Sequence, residues 1–158
     1  MVETPQETLL NNILHKKRKR MEDSLRLKKK TYLNSYTTLS AESESLKKQI
    51  TAFRANAHSS RTQLYGGSSC ASNDKQEEKL LDKWEEDYKR TVTRCGEIYC
   101  KIENMSDERE KTVLKMHYLR GMSIEEIADK LHLSPRQTHR IHKRALEHFQ
   151  LESENETA

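Results

Sequence analysis

Apolar residues return every seven positions along the first third of the chain. Leu25, Tyr32, Leu39, Leu46 and Phe53 fall on one line of a helix. Tyr36 and Ile50, four residues after Tyr32 and Leu46, share that face, while Lys29 and Ser43 occupy seam positions that call for apolar side chains. Upstream, Leu14, Leu25 and Tyr36 step by eleven with Met21 between the first two, a stutter that relaxes a supercoil. Neither Pro nor Gly interrupts residues 6–57, so one long helix is predicted there. Its start is less sharply marked, because Leu9, Leu10 and Ile13 also suit a separate short turn.

Residues 58–75, HSSRTQLYGGSSCASNDK, predict a flexible break, with Gly66-Gly67 and five serines. A second seam follows over 76–105. Leu81, Tyr88, Cys95 and Ile102 hold one heptad position, and Trp84, Thr91, Ile98 and Met105 hold the other. Gly96 sits inside this helix at a cost of about 1 kcal/mol, for which close packing is the one reason at hand. Two seam-bearing helices joined by a loop predict an antiparallel hairpin, with an intermolecular coiled coil as the rival. At about 1.5 Å per residue the first helix is roughly 75 Å long and the second roughly 45 Å. The shorter partner therefore runs out near residues 28–30, and the basic stretch 15–30 lies beside whatever follows residue 105.

The last third changes pattern. Asp107 with Glu110, Ser123 with Glu126, and Ser134 with Gln137 each have capping-box spacing. Leu114, His117 and Tyr118 extend the first of these helices, and Gly121 suits a left-handed end. Ile124, Ile127, Ala128 and Leu131 share one face of the second, His132-Leu133 forms a tight turn, and Pro135 opens the third at its first position. Thr138, Ile141, Ala145, Leu146 and Phe149 point inward from that third helix. A short helix, a turn and a longer capped helix make a helix-turn-helix. The outward residues, and the candidate DNA-binding set, are Arg136, Gln137, His139, Arg140, Lys143 and Arg144; four are cationic and none is acidic.

Composition agrees with an all-α chain. Apolar residues make up 33 % and charged residues 34 %, the balance of long solvated helices with narrow seams. Four glycines and two prolines are too few for a β-rich fold. No run of about 18 apolar residues predicts a membrane span. The N-terminal stretch puts its apolar residues before its basic ones, the reverse of a signal peptide, so a cytoplasmic protein is expected. Cys70, Cys95 and Cys100 form no CxxC and read as reduced thiols. Residues 1–58 hold 12 Lys/Arg against 6 Asp/Glu, and the rest of the chain is nearly balanced. The basic charge therefore lies in two clusters, His15–Lys30 and Arg136–Arg144.

The stretch YLRGMSIEEIADKLHLSPRQTHRIHKRALEHF, residues 118–149, resembles the region 4 helix-turn-helix of sigma-70-type factors. It is also similar to small phage-encoded regulators of Gram-positive hosts, including ArpU-type proteins and a phage family with long N-terminal helices. That family has the same order: basic helix, break after a YGG-like patch (here LYGGSS, 64–69), acidic helix, sigma-like module. The resemblance implies a phage or prophage transcriptional regulator that binds double-stranded DNA, with host RNA polymerase as a further partner. By position, its readers of the −35 element fall on Pro135, Arg136, His139 and Arg140. The chain departs from the sigma pattern at Pro135, where Arg is common, and at Arg136, where Glu is common. The resemblance does not extend to the parts of a sigma factor that bind the −10 element and core polymerase, so a complete sigma factor is not expected.

Two domains are thus expected: a helical hairpin or coiled coil over 6–105, broken at 58–75, and a helix-turn-helix domain over 106–151. The heptad helices offer a route to a homo-oligomer. No catalytic constellation and no phosphate-binding Gly loop appears, so neither an enzyme nor a cofactor is expected. His139 and His142 have an i, i+3 spacing that metals use, but no third ligand accompanies them, so no metal site is expected. Two other functions fit the same parts: a small subunit of a phage DNA-packaging machine, and a helical adaptor whose sigma-like module grips polymerase instead of DNA. Packaging subunits usually place the DNA module first, and here it is last.

Overall fold

The computed structural model describes the backbone of residues 5–63 and 71–151, and the side chains of 11–56 and 75–151. Among these residues all regular structure is helical and no strand occurs. Helix α1 spans Pro5–Gln63 and α2 spans Ala71–Glu103. Three shorter helices follow: α3 (Glu108–Leu114, continued by a π-helical turn over Lys115–Leu119), α4 (Ile124–Leu131) and α5 (Pro135–His148).

The helices reach into both ends of the expected break, to Gln63 and from Ala71. Ser and Thr carry only a modest helix penalty, so serines alone do not stop a long helix. LYGGSS and Cys70 lie outside the described residues, as do the side chains of Leu9 and Leu10. Residues 9–13, which also suited a separate short turn, are part of α1.

The chain divides into two compact units, residues 1–34 with 101–158, and residues 35–100. In the second, α1 and α2 pair along the predicted seam. Ile50 and Ile98 are buried, and the Phe53 and Trp84 rings meet edge to face at 5.8 Å. Arg54 closes the flank on Glu85 at 2.7 Å. In the first unit, Lys101 of α2 lies over the Tyr32 ring of α1, 5.0 Å from its centroid. Within the second unit α1 and α2 lie side by side, as a helical hairpin requires. Gly96 is exposed, and a Cβ built on it meets nothing within 4 Å, so close packing does not account for it.

The first unit has a small core built on Val113, Leu114, Ile127, Ala128, Leu146 and Phe149. Residues of α1 seal it. Leu33, off the predicted heptad line, is fully buried, and Tyr32 packs on Phe149 with ring centroids 6.2 Å apart. A short helical core of this size buries too little apolar surface to be very stable by itself. The added face of α1 brings two more large side chains to it.

Candidate nucleic-acid interface

Local chemistry sets the two helices that matter. Ser123 accepts from the Glu126 backbone N–H at 3.2 Å, and the Glu126 carboxylate accepts from the Ser123 N–H at 2.7 Å. Ser134 and Gln137 repeat the exchange at 3.3 and 2.9 Å, with Pro135 at the first position of α5. Two of the three predicted boxes, at Ser123 and Ser134, are present. The Asp107 carboxylate caps α3 alone, accepting from the Arg109 and Glu110 N–H groups at 2.8 and 3.2 Å. The Glu110 N–H bond is the largest influence and holds Asp107 below the usual carboxylate range; desolvation opposes it, and the Arg109 N–H bond and the Arg144 charge add to the lowering.

The turn between α4 and α5 is closed by Leu133 N–H on Ala128 O at 2.9 Å and His132 N–H on Asp129 O at 3.3 Å. This is a Schellman end, and His132 takes its left-handed residue at φ 55°, ψ 43°. The end of α3 is wider. Arg120 N–H reaches Lys115 O, Met122 N–H reaches Met116 O, and Gly121 supplies φ 68°. The π turn adds one residue to the loop, which carries the chain into α4.

On α5, Thr138, Ala145 and Leu146 face the core and Ile141 is half-buried. Arg136, Gln137, His139, Arg140, Lys143 and Arg144 are all exposed. They differ in what holds them. Gln137 spends its carbonyl oxygen on Ser134, leaving its NH2 to act outward. Arg136, Arg140 and Lys143 have no carboxylate at ion-pair distance among the described residues, and none lies against His139. Arg144 is different: its Nε donates to the Glu110 carboxylate at 2.5 Å, and its Nη2 lies 3.6 Å from Asp107. The Glu110 hydrogen bond and charge raise the Arg144 pKa further. Glu110 is buried, and its other oxygen meets His148 Nδ1 at 2.8 Å.

Behind this face lies an aromatic cluster. His142 stacks on Tyr118 with 25° between the rings and meets His117 edge-on at 5.0 Å. Burial, then His117, Lys30 and His139, push the His142 pKa down to about 4, and burial pushes the Tyr118 phenol up to about 12. The imidazole is thus neutral and the phenol protonated near neutral pH, and Tyr118 Oη and His142 Nε2 share a hydrogen bond at 3.1 Å. His117 Nδ1 donates to Met122 O at 2.8 Å and pins the loop into α4. His139 is exposed on the open face, while the His142 ring lies in this cluster. No group of three or more His, Cys, Asp or Glu among the described residues is placed to hold a metal.

Three residues were not legible as parts of this unit. Lys29 fills its apolar seam position with a buried side chain whose Nζ donates to the carbonyls of Leu146 and Glu147 at the end of α5. Arg26, one turn earlier, reaches the Glu147 carboxylate at 3.4 Å. Glu110, read as the second half of a capping box, turns inward to Arg144 and His148. The signal for Lys29 was present as a break in the heptad, and the length of α1 beyond α2 pointed to the region it meets.

Residues 107–150 match the family described as Sigma-70, region 4. The match covers less than a third of the chain, and the family is a DNA-binding helix-turn-helix. Residues 107–150 thus form a sigma-70 region 4-like helix-turn-helix. No curated protein sequence and no solved structure matches the chain. No helix among the described residues is long and apolar enough to cross a membrane.

Proposed function

We propose that the chain is a sequence-specific regulator of phage or prophage transcription that binds double-stranded DNA through residues 122–149. The open face of α5 carries this reading. Arg136, His139, Arg140 and Lys143 stand on it with no carboxylate to neutralise them among the described residues, on a helix whose N-terminus is fixed by the Ser134–Gln137 box. Arg136 and Arg140 are one turn apart and have the paired donors that match guanine O6 and N7. Gln137 keeps its amide NH2, and His139 can donate or accept. Lys143 and Arg144, further along, suit phosphates. In this reading 106–151 is the DNA-binding domain and the hairpin of 6–105 carries it. The order of basic helix, Gly/Ser-rich stretch, acidic helix and sigma-like module supports the phage assignment.

The test is enrichment of the full chain's binding sites from a random duplex library. A titration of the selected and scrambled sites at one stated salt concentration follows. A defined motif bound about 10³-fold more tightly than scrambled DNA is the expected result. No enrichment, with binding that depends on salt alone, would discard sequence-specific regulation and leave the adaptor reading in its place.

A further inference from the structure

Between residues 13 and 27, α1 leaves five large apolar side chains in water. Three of them, Leu14 (55 % exposed), Met21 (70 %) and Leu25 (49 %), lie along one stripe. Their spacing of seven and four residues continues by seven more to Tyr32, which Phe149 and Lys101 cover. The stripe is therefore the continuation of a packed seam beyond its last partner. Single exposed leucines need no explanation, but a run of them in register with a buried seam does.

Two cations border the stripe: Arg18, four residues after Leu14, and Lys28, three after Leu25 and one before the buried seam residue Lys29. Neither has a carboxylate at ion-pair distance among the described residues. Lys17 flanks the stripe on one side. These charges decide what can cover it. A second copy in parallel register sets Arg18 against Arg18 and Lys28 against Lys28. An antiparallel copy that overlays Leu14 on Leu25 sets each Arg18 against Met21. Both arrangements bury cations with no carboxylate opposite them. A DNA backbone would satisfy the cations and leave Leu14, Met21 and Leu25 in water. A bilayer would need a wider apolar face than this one, with no Arg18 at its centre. A helix with apolar residues between carboxylates placed opposite Arg18 and Lys28 satisfies every position at once.

We propose that residues 14–28 of α1 are the docking surface for an acidic amphipathic helix of a partner protein. The docked helix extends the seam that ends at Tyr32. Because Lys29 is bonded to the end of α5, the partner is held on the same unit as the helix-turn-helix. The proposal stands whether or not α5 reads DNA.

The test uses the full chain and a synthetic three-heptad helix with Leu along its seam, Glu on its flanks, and Glu at the two positions that face Arg18 and Lys28. A second peptide carries Lys for every Glu. Fluorescence anisotropy of each labelled peptide is titrated with protein at low and high salt. The acidic peptide is expected to bind in a salt-sensitive way, and the basic one not to bind. Leu14→Asp with Met21→Asp should weaken binding by about tenfold or more, the equivalent of one lost leucine contact, with thermal melting unchanged because both side chains are already exposed. Arg18→Glu with Lys28→Glu should reverse the preference between the two peptides. Binding of neither peptide, or equal binding of both, overturns the proposal. So does self-association of the chain in sedimentation that Met21→Asp abolishes, which would assign the stripe to a second copy. Preferential binding to anionic phosphatidylserine vesicles over the acidic peptide would assign it to a membrane and overturn the proposal equally.

Discussion

The ammonium of Lys29 donates to the carbonyl of Leu146, 117 residues along the chain, at 2.8 Å. It also reaches the Glu147 carbonyl at 3.0 Å. Both carbonyls belong to the last turn of α5, where a helix leaves its acceptors unpaired and its dipole negative. Burial lowers the Lys29 pKa, the Glu147 charge opposes that shift, and Arg26 adds to it. Lys29→Met keeps the stem and removes the charge, stranding two carbonyls beside the core. We expect a loss of about 2 kcal/mol in urea unfolding. Lys28→Met, one residue away and exposed, should stay within about 0.5 kcal/mol of the unaltered chain. Equal effects of the two would show that the Lys29 cap contributes nothing.

That relationship also marks where sequence reasoning ran out. The heptads of α1 and α2 and the boxes at Ser123 and Ser134 were legible because each depends on residues within one or two turns. The outward face of α5 was legible for the same reason, since helical periodicity alone separates Arg140 from Leu146. Lys29 read as a flaw in a seam because its partner is remote in sequence. Glu110 read as a local box member because spacing does not reveal that Arg144 and His148 compete for its carboxylate. Leu33 lies off the heptad line and is fully buried, which no pattern along α1 encodes. The π turn at Lys115–Leu119 reflects how α3 and α4 meet, and tertiary fit sets it rather than propensity.

Two residues sit in backbone conformations that suit each other's side chain better than their own. Gly96 is in the middle of α2 with open space where a Cβ would go. Gly96→Ala should raise stability by about 1 kcal/mol through reduced freedom of the unfolded chain. His132 holds the left-handed end of α4 at φ 55°, where a Cβ is strained. His132→Gly should gain about 0.5–1 kcal/mol, part of the relief being offset by the greater freedom of unfolded glycine. Thermal melting of both variants should shift upward, with His132→Ala unchanged. A fall for His132→Gly would mean that the ring makes a contact worth more than the strain.

His142 makes stability depend on pH. Burial, the first cause, with His117, Lys30 and His139, pushes its pKa from 6.5 to about 4. Between these values the unfolded chain binds a proton that the folded chain refuses. Stability is therefore full above about pH 6.5 and falls as pH drops toward about 4. The ring is partly solvated, so we expect a loss of about 1–2 kcal/mol, less than the full shift implies. Asp107 acts with the same sign, but below its ordinary 3.8 and so outside this window. Urea midpoints across the range should fall for the unaltered chain and flatten for His142→Gln. An equal slope in both would place the titrating group elsewhere.

Arg140, Lys143 and Arg144 are neighbours on α5 and should fail in three different ways. Arg140 has no carboxylate near it among the described residues and lies one turn after Arg136, near the end of the helix that enters a major groove in this motif. A guanidinium on guanine discriminates by about 1–3 kcal/mol, so Arg140→Ala should weaken a selected site by that amount and scrambled DNA far less. Lys143 lies further along, where the helix meets backbone. Lys143→Ala should weaken both DNAs alike and lower the slope of log affinity against log salt by about one. Arg144 is tied to Glu110 and Asp107, so Arg144→Ala leaves the buried Glu110 carboxylate with His148 alone. Its melting temperature should drop while that of Lys143→Ala does not, whatever happens to DNA binding. The measurements are salt titrations on selected and scrambled duplexes, with a melt of each variant. If Arg140→Ala changes both affinities by one factor, Arg140 contacts phosphate rather than a base. If none of the three changes either affinity, α5 is a solvated face, and the DNA-binding proposal falls with it.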